Sequence, residues 1–371
     1  MQDSEDHIDF KLIDMVSTKV FAVSLIVAII ASSAITSAFF LSQVPKVTSS
    51  GKQLVNVTDY VAGMTDQNGI VYAPIVEGYY EQNGIVATPV ILSGTTAAVE
   101  ALAADRSGFA FVVEASIFNI VAYESQNPNA TKLVSVASMG TVNPVGVLYL
   151  MSSGISKPSD LVGRTVGSPF GSLSAQMFDA FLKKAGLEGK VDVQNVAFAQ
   201  LAPALLAKKV DAIVQYVANV AGLDPQAKKI NEAVSFFSLS DYGMPPVGFG
   251  VVVQKGLVDN HPDVVKGIVN ATMTGIRFCI MDTPRCVADL IRVNPTFDFD
   301  IALADMRAHW NYTFGPPFND PSKVQTLSPL QLGWHDPRSV SEIVQLAEEI
   351  YQTSGIDPNS VYTNQFVAER P

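Results

Sequence analysis

Residues 164–186 read RTVGSPFGSLSAQMFDAFLKKAG, and this stretch predicts a strand, a loop and a helix in succession. The run 164–168 is short and contains β-branched residues, as strands do. From Ser172 to Ala185, apolar residues recur at a spacing of four, which is typical of a helix with one buried face. Gly186 then ends the helix. A strand followed by an amphipathic helix is the repeating unit of an α/β fold with mostly parallel sheets.

The same alternation continues on both sides of this stretch. Further strands are predicted at 54–59, 86–92, 109–113, 133–137, 145–151, 191–196, 210–214 and 247–254. After Gly256 the chain becomes mainly helical, with helices predicted near 262–281, 285–293, 299–311 and 339–352. These helices are expected to form a layer that closes the structure.

A weak internal repeat in the sequence indicates that the chain has two similar halves. Ser93-Gly94-Thr95-Thr96 opens a helix that is followed by the strand 109–113, and Phe198-Ala199-Gln200 opens a helix that is followed by the strand 210–214. Two similar α/β halves favour two lobes that face each other across a cleft.

The composition excludes several classes of protein. Of the 371 residues, 48% are apolar and 16% are charged, so the chain can bury a sizeable core and is not disordered. The 35 acidic and 24 basic residues give a net charge of −11, which argues against a nucleic-acid partner. With four His and two Cys, little remains for a metal cluster. We therefore expect neither a metal nor a cofactor.

An apolar segment precedes the folded part. Residues Val20–Leu41 carry no charge, and at about 1.5 Å per residue a helix of this length spans a hydrocarbon core of about 30 Å. We predict a cytoplasmic tail at 1–19, a transmembrane anchor or signal segment at 20–41, and a linker at 42–53. Long C-terminal domains are translocated largely regardless of flanking charge. The expected location is the cell membrane, single-pass, with the folded part extracytoplasmic, or secreted or periplasmic if the segment is cleaved.

Both cysteines lie close together, at Cys279 and Cys286, on either side of Asp282-Thr283-Pro284. In an oxidising compartment they can pair in a disulfide that closes a short loop. The alternative is two ordinary buried thiols, and the sequence leaves both interpretations open.

Several motifs resemble those of one family. The stretch SGISKPSDLVGRTVG at 153–167 resembles a signature of the periplasmic solute-binding proteins that serve ABC importers for nitrate, sulfonates, taurine and thiamine-pyrimidine precursors. Gly78-Tyr79-Tyr80 and the DYGMP run at 241–245 are similar to two further motifs of that family. The tail, with GWHDP at 333–337 and YTNQF at 362–366, resembles the thiamine-pyrimidine branch. That branch has a Trp and a His in its first loop, and residues 60–68 contain neither.

The resemblance implies a type II periplasmic-binding fold with two lobes and two hinge crossings. We place the hinges near Asn143–Pro144 and Pro246–Gly248. Lobe one then comprises 54–143 and 249–371, and lobe two comprises 144–248. The implied function is capture of a small molecule by a monomer that delivers it to an ABC permease and its ATPase, without catalysis.

Ligands of open α/β sheets bind outside the carboxyl ends of the strands. The residues predicted there to bind the ligand are Tyr60, Thr65, Asp66, Ser93, Gly94, Thr95, Glu114, Asn143, Gly171, Ser172, Gln215, Tyr216, Asp241 and Tyr242. These loops contain carboxylates and aromatic rings but no Lys or Arg. Such a set favours a planar ring that carries amino groups, by stacking and by hydrogen bonds to carboxylates.

Two alternatives stay open. The helix starts at 93–95 and 171–172 offer free amides, which suit a sulfonate, taurine or nitrate. A pyrimidine-synthesising enzyme of the same fold is the other, but the cysteine-rich motif of that enzyme is absent from this sequence. His261, His309 and His335 are interpreted as structural, and no catalytic residue is predicted.

Overall fold

The computed structural model describes residues 54–65, 67–247 and 249–370. Within these residues the chain forms two five-stranded mixed sheets, each covered by helices. The predicted α/β class is therefore confirmed, whereas the expectation of mostly parallel sheets is wrong, because each sheet has two parallel and two antiparallel pairs of strands. The predicted transmembrane segment Val20–Leu41 lies outside the described residues.

The strands are short, and most of their side chains are buried. They are β1 Val55–Val61, β2 Ile85–Ile91, β3 Ala110–Ser116, β4 Leu133–Ser138, β5 Val145–Leu150, β6 Thr165–Ser168, β7 Asp192–Asn195, β8 Ala212–Tyr216, β9 Val234–Ser238 and β10 Phe249–Gln254. Every residue of β5, VGVLYL, is buried. A strand that packs helices on both of its faces has such a continuous apolar sequence.

The two sheets have the same plan. The first has the order β2-β1-β3-β10-β4 and the second has the order β7-β6-β8-β5-β9. In the first sheet β1, β2 and β3 run parallel, and β10 runs antiparallel to both of its neighbours. In the second sheet β6, β7 and β8 run parallel, and β5 is antiparallel to β8 and β9. We call the layers built on these sheets the first and second lobes.

Helices connect and cover the strands. They are α1 Gly69–Val76, α2 Tyr79–Gln82, α3 Thr95–Ala104, α4 Ile117–Gln126, α5 Leu173–Lys184, α6 Phe198–Leu206, α7 Val220–Lys228, α8 Lys255–Asn260, α9 Pro262–Met281, α10 Thr283–Val293, α11 Phe299–His309, α12 Pro321–Thr326, α13 Pro329–Leu332 and α14 Pro337–Tyr351. Short 3₁₀ turns lie at Met151–Ser153, Pro158–Leu161, Val217–Asn219, Ser240–Tyr242 and Pro358–Ser360, and a π-helical turn lies at Trp310–Phe314.

Among the described residues, one helix is long and apolar enough to cross a membrane, namely α9, with a mean hydropathy of 1.3. Of its apolar window, 61% is buried inside the fold. It packs against α1, and a Cβ placed on Gly275 would lie 2.1 Å from Pro74 Cγ. This helix is a core element of the first lobe.

The chain passes between the sheets after β4 and returns after β9. The buried Asn143 joins both passages, because its Nδ2 donates to the Pro245 carbonyl (2.9 Å) and its Oδ1 accepts from the Val145 amide (3.0 Å). The C-terminal segment touches the second lobe as well, since α11 packs against α7. The lobe boundaries given above stay a prediction. The contact between α11 and α7 shows that the segment 249–371 packs against the second lobe as well as the first.

Candidate functional site

A cavity lies between the two lobes, at the carboxyl ends of β1, β3 and β8 and at the starts of α3 and α5. Its volume is about 40 Å³. The residues that line it are Ala62, Gly63, Thr65, Gln67, Asn68, Thr95, Glu114, Ser172, Leu173, Phe198, Gln215, Tyr216 and Asn219. Both sheets thus contribute loops to one enclosed space.

Glu114 reaches this cavity from an irregular point in β3. In the pairing with β10, Val251 lies opposite Val113 and Gly250 lies opposite Ala115, so Glu114 has no partner in the ladder. Its φ is 69°, in the left-handed region that a residue with a side chain rarely adopts. Bulges of this kind re-aim a side chain, and strained residues cluster at functional sites. The bulge directs a carboxylate into the cleft.

The loop after β1 is held by Asn68, which is buried. Its Oδ1 accepts from the Thr65 amide and hydroxyl, and its Nδ2 donates to Glu114 Oε2 (3.3 Å). The Asn68 side chain therefore couples the shape of this loop to the position of the carboxylate. Asp66, which belongs to the same loop, lies outside the described residues.

Hydrogen bonds close the cleft around the two helix starts. The Leu173 amide donates to Thr95 Oγ1 (2.9 Å), and the Thr96 amide donates to the Gly171 carbonyl (3.2 Å). Ser172 caps α5 by accepting from the Ala175 amide (3.1 Å). Each of these amides already has an acceptor, so an anion at this place would have to displace those contacts.

Four amide side chains add further contacts between the lobes. Gln176 Nε2 donates to Thr96 Oγ1 (2.6 Å), and Gln176 Oε1 accepts from Asn119 Nδ2 (3.0 Å). On the other side of the cavity, Gln67 Nε2 donates to Asn219 Oδ1. The structure is thus a closed form of a two-lobed protein.

Tyr216 forms an aromatic wall at the end of β8. Its ring stacks on His309 with the centroids 6.0 Å apart, and it meets the Phe249 ring edge-on at 5.5 Å. Burial lowers the pKa of His309 to about 3, and His309 Nδ1 is hydrogen-bonded to the Thr313 hydroxyl. Because the imidazole behind the tyrosine is neutral, this wall is uncharged.

Glu114 and Asp59 are among the carboxyl groups of the first lobe that have raised pKa values. Burial raises the pKa of Glu114 to about 8, helped by the nearby Asp59 and opposed by the bond from Asn68. Burial likewise raises the pKa of Asp59 to about 7, against a smaller lowering by the Val113 backbone. Asp59 is fully buried in β1, and neither of its oxygens has a well-formed hydrogen bond to any described residue.

The lining combines one acidic side chain with neutral polar and apolar ones. Glu114 is the one carboxylate among the described lining residues, and neither Lys nor Arg is among them. When it is ionised, the Glu114 carboxylate can accept charge-assisted hydrogen bonds from amino groups and attract a cation. In the part of the chain that the structure describes, no group of three or more His, Cys, Asp or Glu is placed to hold a metal ion.

The structure brings part of the predicted ligand-binding set together. The predicted residues that line the cavity are Thr65, Thr95, Glu114, Ser172, Gln215 and Tyr216. Gly94 and Gly171 adjoin it where the lobes meet, since a Cβ placed on Gly94 would lie 3.0 Å from the Gly171 carbonyl oxygen. Ser93, beside them, is exposed.

Other predicted residues lie outside the lining. Tyr60 donates its hydroxyl to Asp105 Oδ2 (2.9 Å), and Asn143 is used at the hinge passages. Asp241 and Tyr242 are exposed in a 3₁₀ turn, where the Tyr242 ring packs against Phe181 and Phe237. We therefore leave these residues out of the candidate site.

The sequence reasoning missed several lining residues, among them Gln67, Asn68, Phe198 and Asn219. Gln67 and Asn68 lie in the loop after the first predicted strand, and this position at a strand end could have marked them as candidate ligand-binding residues. Asn219 belongs to a 3₁₀ turn after β8 that has no distinctive pattern.

Cys279 and Cys286 are joined in a disulfide, with their Cα atoms 5.0 Å apart. The bond links the end of α9 to the first turns of α10, and both cysteines are buried. It lies beside α1, because a Cβ placed on Gly69 would be 2.8 Å from Cys286 Sγ.

A family model described as NMT1/THI5 like matches residues 65–285, which is more than half of the chain. The chain belongs to this family, and the resemblance predicted from its motifs is confirmed. The taurine-binding periplasmic protein of Escherichia coli K12 is 27% identical over 120 residues, covering 32% of this chain and 36% of that protein. The formylaminopyrimidine-binding protein of Halalkalibacterium halodurans is 26% identical over 150 residues, covering 40% and 44%. The chain thus spans less than half the length of these relatives.

Solved structures share the fold. The periplasmic nitrate-binding protein NrtA of Synechocystis PCC 6803 superposes with a TM-score of 0.60 at 12% identity, covering 85% of this chain and 88% of that one. The periplasmic aliphatic sulphonate-binding protein SsuA of Escherichia coli gives a TM-score of 0.55 at 15% identity, covering 82% and 93%. At these identities the comparison shows the periplasmic-binding fold.

Proposed function

We propose that this protein is the extracytoplasmic solute-binding component of an ABC importer and that it captures an amino-bearing heterocycle, such as a thiamine-pyrimidine precursor, between its lobes. The observation that carries the proposal is the interlobe cavity, where Glu114 and the ring of Tyr216 meet and where the described lining contains no Lys or Arg. A carboxylate accepts from amino groups, and an aromatic ring stacks on a planar ligand. Family membership and the formylaminopyrimidine-binding relative support it.

Capture follows from differential affinity. A ligand that contacts Glu114 in the first lobe and Gln215 or Tyr216 in the second is bound fully only when the lobes are closed, so it stabilises that form. Cross-lobe bonds such as Gln67 to Asn219 add to the stability of the closed form. The monomeric closed form then docks on a permease whose ATPase drives import.

A sulfonate, taurine or nitrate is the second candidate. It is supported by the starts of α3 and α5, which meet at the cavity, and by the taurine-binding relative. Against it, the amides of Thr96, Leu173 and Ala175 already have acceptors. Synthesis of a pyrimidine by this chain is a third possibility, tested by searching for turnover of a bound compound; we expect binding without turnover.

The N-terminal segment 20–41 is proposed as a membrane anchor that keeps the binding domain near its permease and raises its effective concentration there. An extracytoplasmic location is supported by the disulfide Cys279–Cys286, because such bonds persist in oxidising compartments. Carbonate extraction of cell membranes tests the anchor. Protein that stays in the membrane pellet with its N-terminus intact supports an anchor, and a soluble protein that lacks residues 1–41 shows a cleaved signal.

Calorimetric titration of the full chain in detergent tests the function directly. The panel contains a 4-aminopyrimidine, thiamine, riboflavin, taurine, an alkanesulfonate and nitrate. We expect saturable binding of an amino-bearing ring compound. Binding of a sulfonate or of nitrate alone would contradict the preferred ligand and would mean that the helix starts dominate recognition.

A further inference from the structure

A second, larger chamber adjoins the interlobe cavity. Its volume is about 230 Å³. The two spaces share wall residues, namely Thr65, Phe198, Gln215 and Asn219. The two spaces therefore lie next to each other, with these four side chains at their boundary.

Just over half of the residues that line the outer chamber are apolar, and these apolar residues come from several elements. The apolar members are Met64, Phe198, Ala199, Ala202, Leu223, Phe297 and Ile301. Phe198, Ala199 and Ala202 lie in α6, and Leu223 lies in α7, both in the second lobe. Met64 lies in the loop after β1, Ile301 lies in the first turn of α11, and Phe297 lies two residues before that helix. Phe297 and Ile301 are half-buried, so each presents apolar surface to the chamber.

Polar members of the same wall are used in holding the helices together. Asp305 Oδ1 accepts from the Gly222 amide, and Gln226 Nε2 donates to the Gly222 carbonyl (3.0 Å). Asn219 Oδ1 accepts from Gln67. The apolar surface is what the chamber chiefly offers to a ligand.

The size of the inner cavity adds a second argument. About 40 Å³ is room for roughly three water-sized probes, so a substituted ring cannot fit inside it with all of its substituents. Small-molecule sites are mostly apolar and have a few polar groups that fix orientation. The cavity provides the carboxyl group of Glu114, and the outer chamber provides seven apolar side chains beside its polar ones.

We infer that the outer chamber is a subsite for an apolar tail, so that the ligand is a two-part molecule with an amino-bearing planar head at Glu114 and a short alkyl or aryl tail between α6 and α11. This inference rests on the proposed function. A tail in this place contacts the second lobe through Phe198 and the C-terminal segment through Phe297 and Ile301. The tail therefore strengthens closure as well as affinity.

A homologous series tests the inference. The probes are 4-amino-5-aminomethyl-2-methylpyrimidines whose aminomethyl nitrogen carries a formyl, butanoyl or hexanoyl group, titrated calorimetrically into the full chain. We expect the hexanoyl compound to bind at least tenfold more tightly than the formyl compound, because buried methylene groups add affinity. Ala199→Phe, at an exposed position of α6 in the chamber wall, should remove this gain.

Ala207→Phe is the matched control, since Ala207 is exposed at the end of the same helix and outside the wall. Ile301→Ala, which widens the chamber, should shift the preference towards the longest tail even if Ala199→Phe folds poorly. Equal affinity of all three compounds for the unchanged protein would overturn the tail subsite and leave the proposed function standing. Binding of no compound would overturn the amino-bearing head and the tail together.

Discussion

Replacing the buried Asp59 by Asn should make the protein less sensitive to pH. Burial raises the pKa of Asp59 from 3.8 to about 7. A group with a raised pKa in the folded state contributes stability that is fully present below its unfolded pKa and is lost as the pH rises through its folded pKa. Between pH 5 and pH 8 the loss amounts to about 2–3 kcal/mol, taking about 1.4 kcal/mol per pKa unit.

Asn carries no charge at either pH, so the variant does not lose this stability. The free energy of unfolding of Asp59→Asn minus that of the unchanged protein should therefore be about 2–3 kcal/mol larger at pH 8 than at pH 5. The assay is urea unfolding at both pH values, followed by circular dichroism. Asp241→Asn is the control, because it makes the same exchange of a carboxyl group for an amide at an exposed position. A constant difference between Asp59→Asn and the unchanged protein from pH 5 to pH 8 would refute the argument.

Three further substitutions or treatments test the packing and the closed form. Gly275→Ala should destabilise the protein by about 1–3 kcal/mol in urea unfolding, because the new Cβ would meet Pro74 at 2.1 Å; an unchanged midpoint would show that the helices move apart at little cost. Gln176→Ala removes cross-lobe hydrogen bonds and should raise the radius of gyration in small-angle scattering without changing the unfolding midpoint by much; no change in that radius would mean that these bonds do not hold the lobes closed. Reduction of the disulfide Cys279–Cys286 should cost about 2.5 kcal/mol of unfolding free energy in the loop-entropy account, and equal stability before and after reduction would contradict that account.

Much of the fold could be predicted because its elements have regular patterns. The weak repeat relates the segment 93–113, which forms α3 and β3, to the segment 198–214, which forms α6 and β8. β3 and β8 occupy equivalent places in the two sheets. β9 was missed because its sequence VSFFS does not alternate. α1 was missed because all of its residues, GIVYAPIV, are buried and show no helical period.

The site was less predictable, for physical reasons. Thr95 and Ser172 follow from strand ends and helix starts, which short-range patterns reveal. The orientation of Glu114 depends on a bulge that is set by the pairing of β3 with β10, a long-range contact. Asp241 was selected because its loop was expected at the carboxyl ends of the strands, but it is exposed and does not line the cavity. The residues of the outer chamber near Ile301 come from the helical segment, whose return to the second lobe has no local signal.

Affinity of the full chain and of Glu114→Gln for a 4-aminopyrimidine, each at pH 7 and pH 9, tests the central claim most directly. Burial holds the pKa of Glu114 at about 8, so at pH 7 most of the carboxyl group is protonated, and it must lose a proton before it can offer the amino group the stronger, charge-assisted acceptor. The account predicts tighter binding at pH 9 than at pH 7 for the unchanged protein, a loss of more than tenfold at pH 9 in Glu114→Gln, and no pH effect in that variant. Asp241→Asn should behave like the unchanged protein. Equal affinity of Glu114→Gln and the unchanged protein at pH 9 would contradict the claim that Glu114 recognises the ligand.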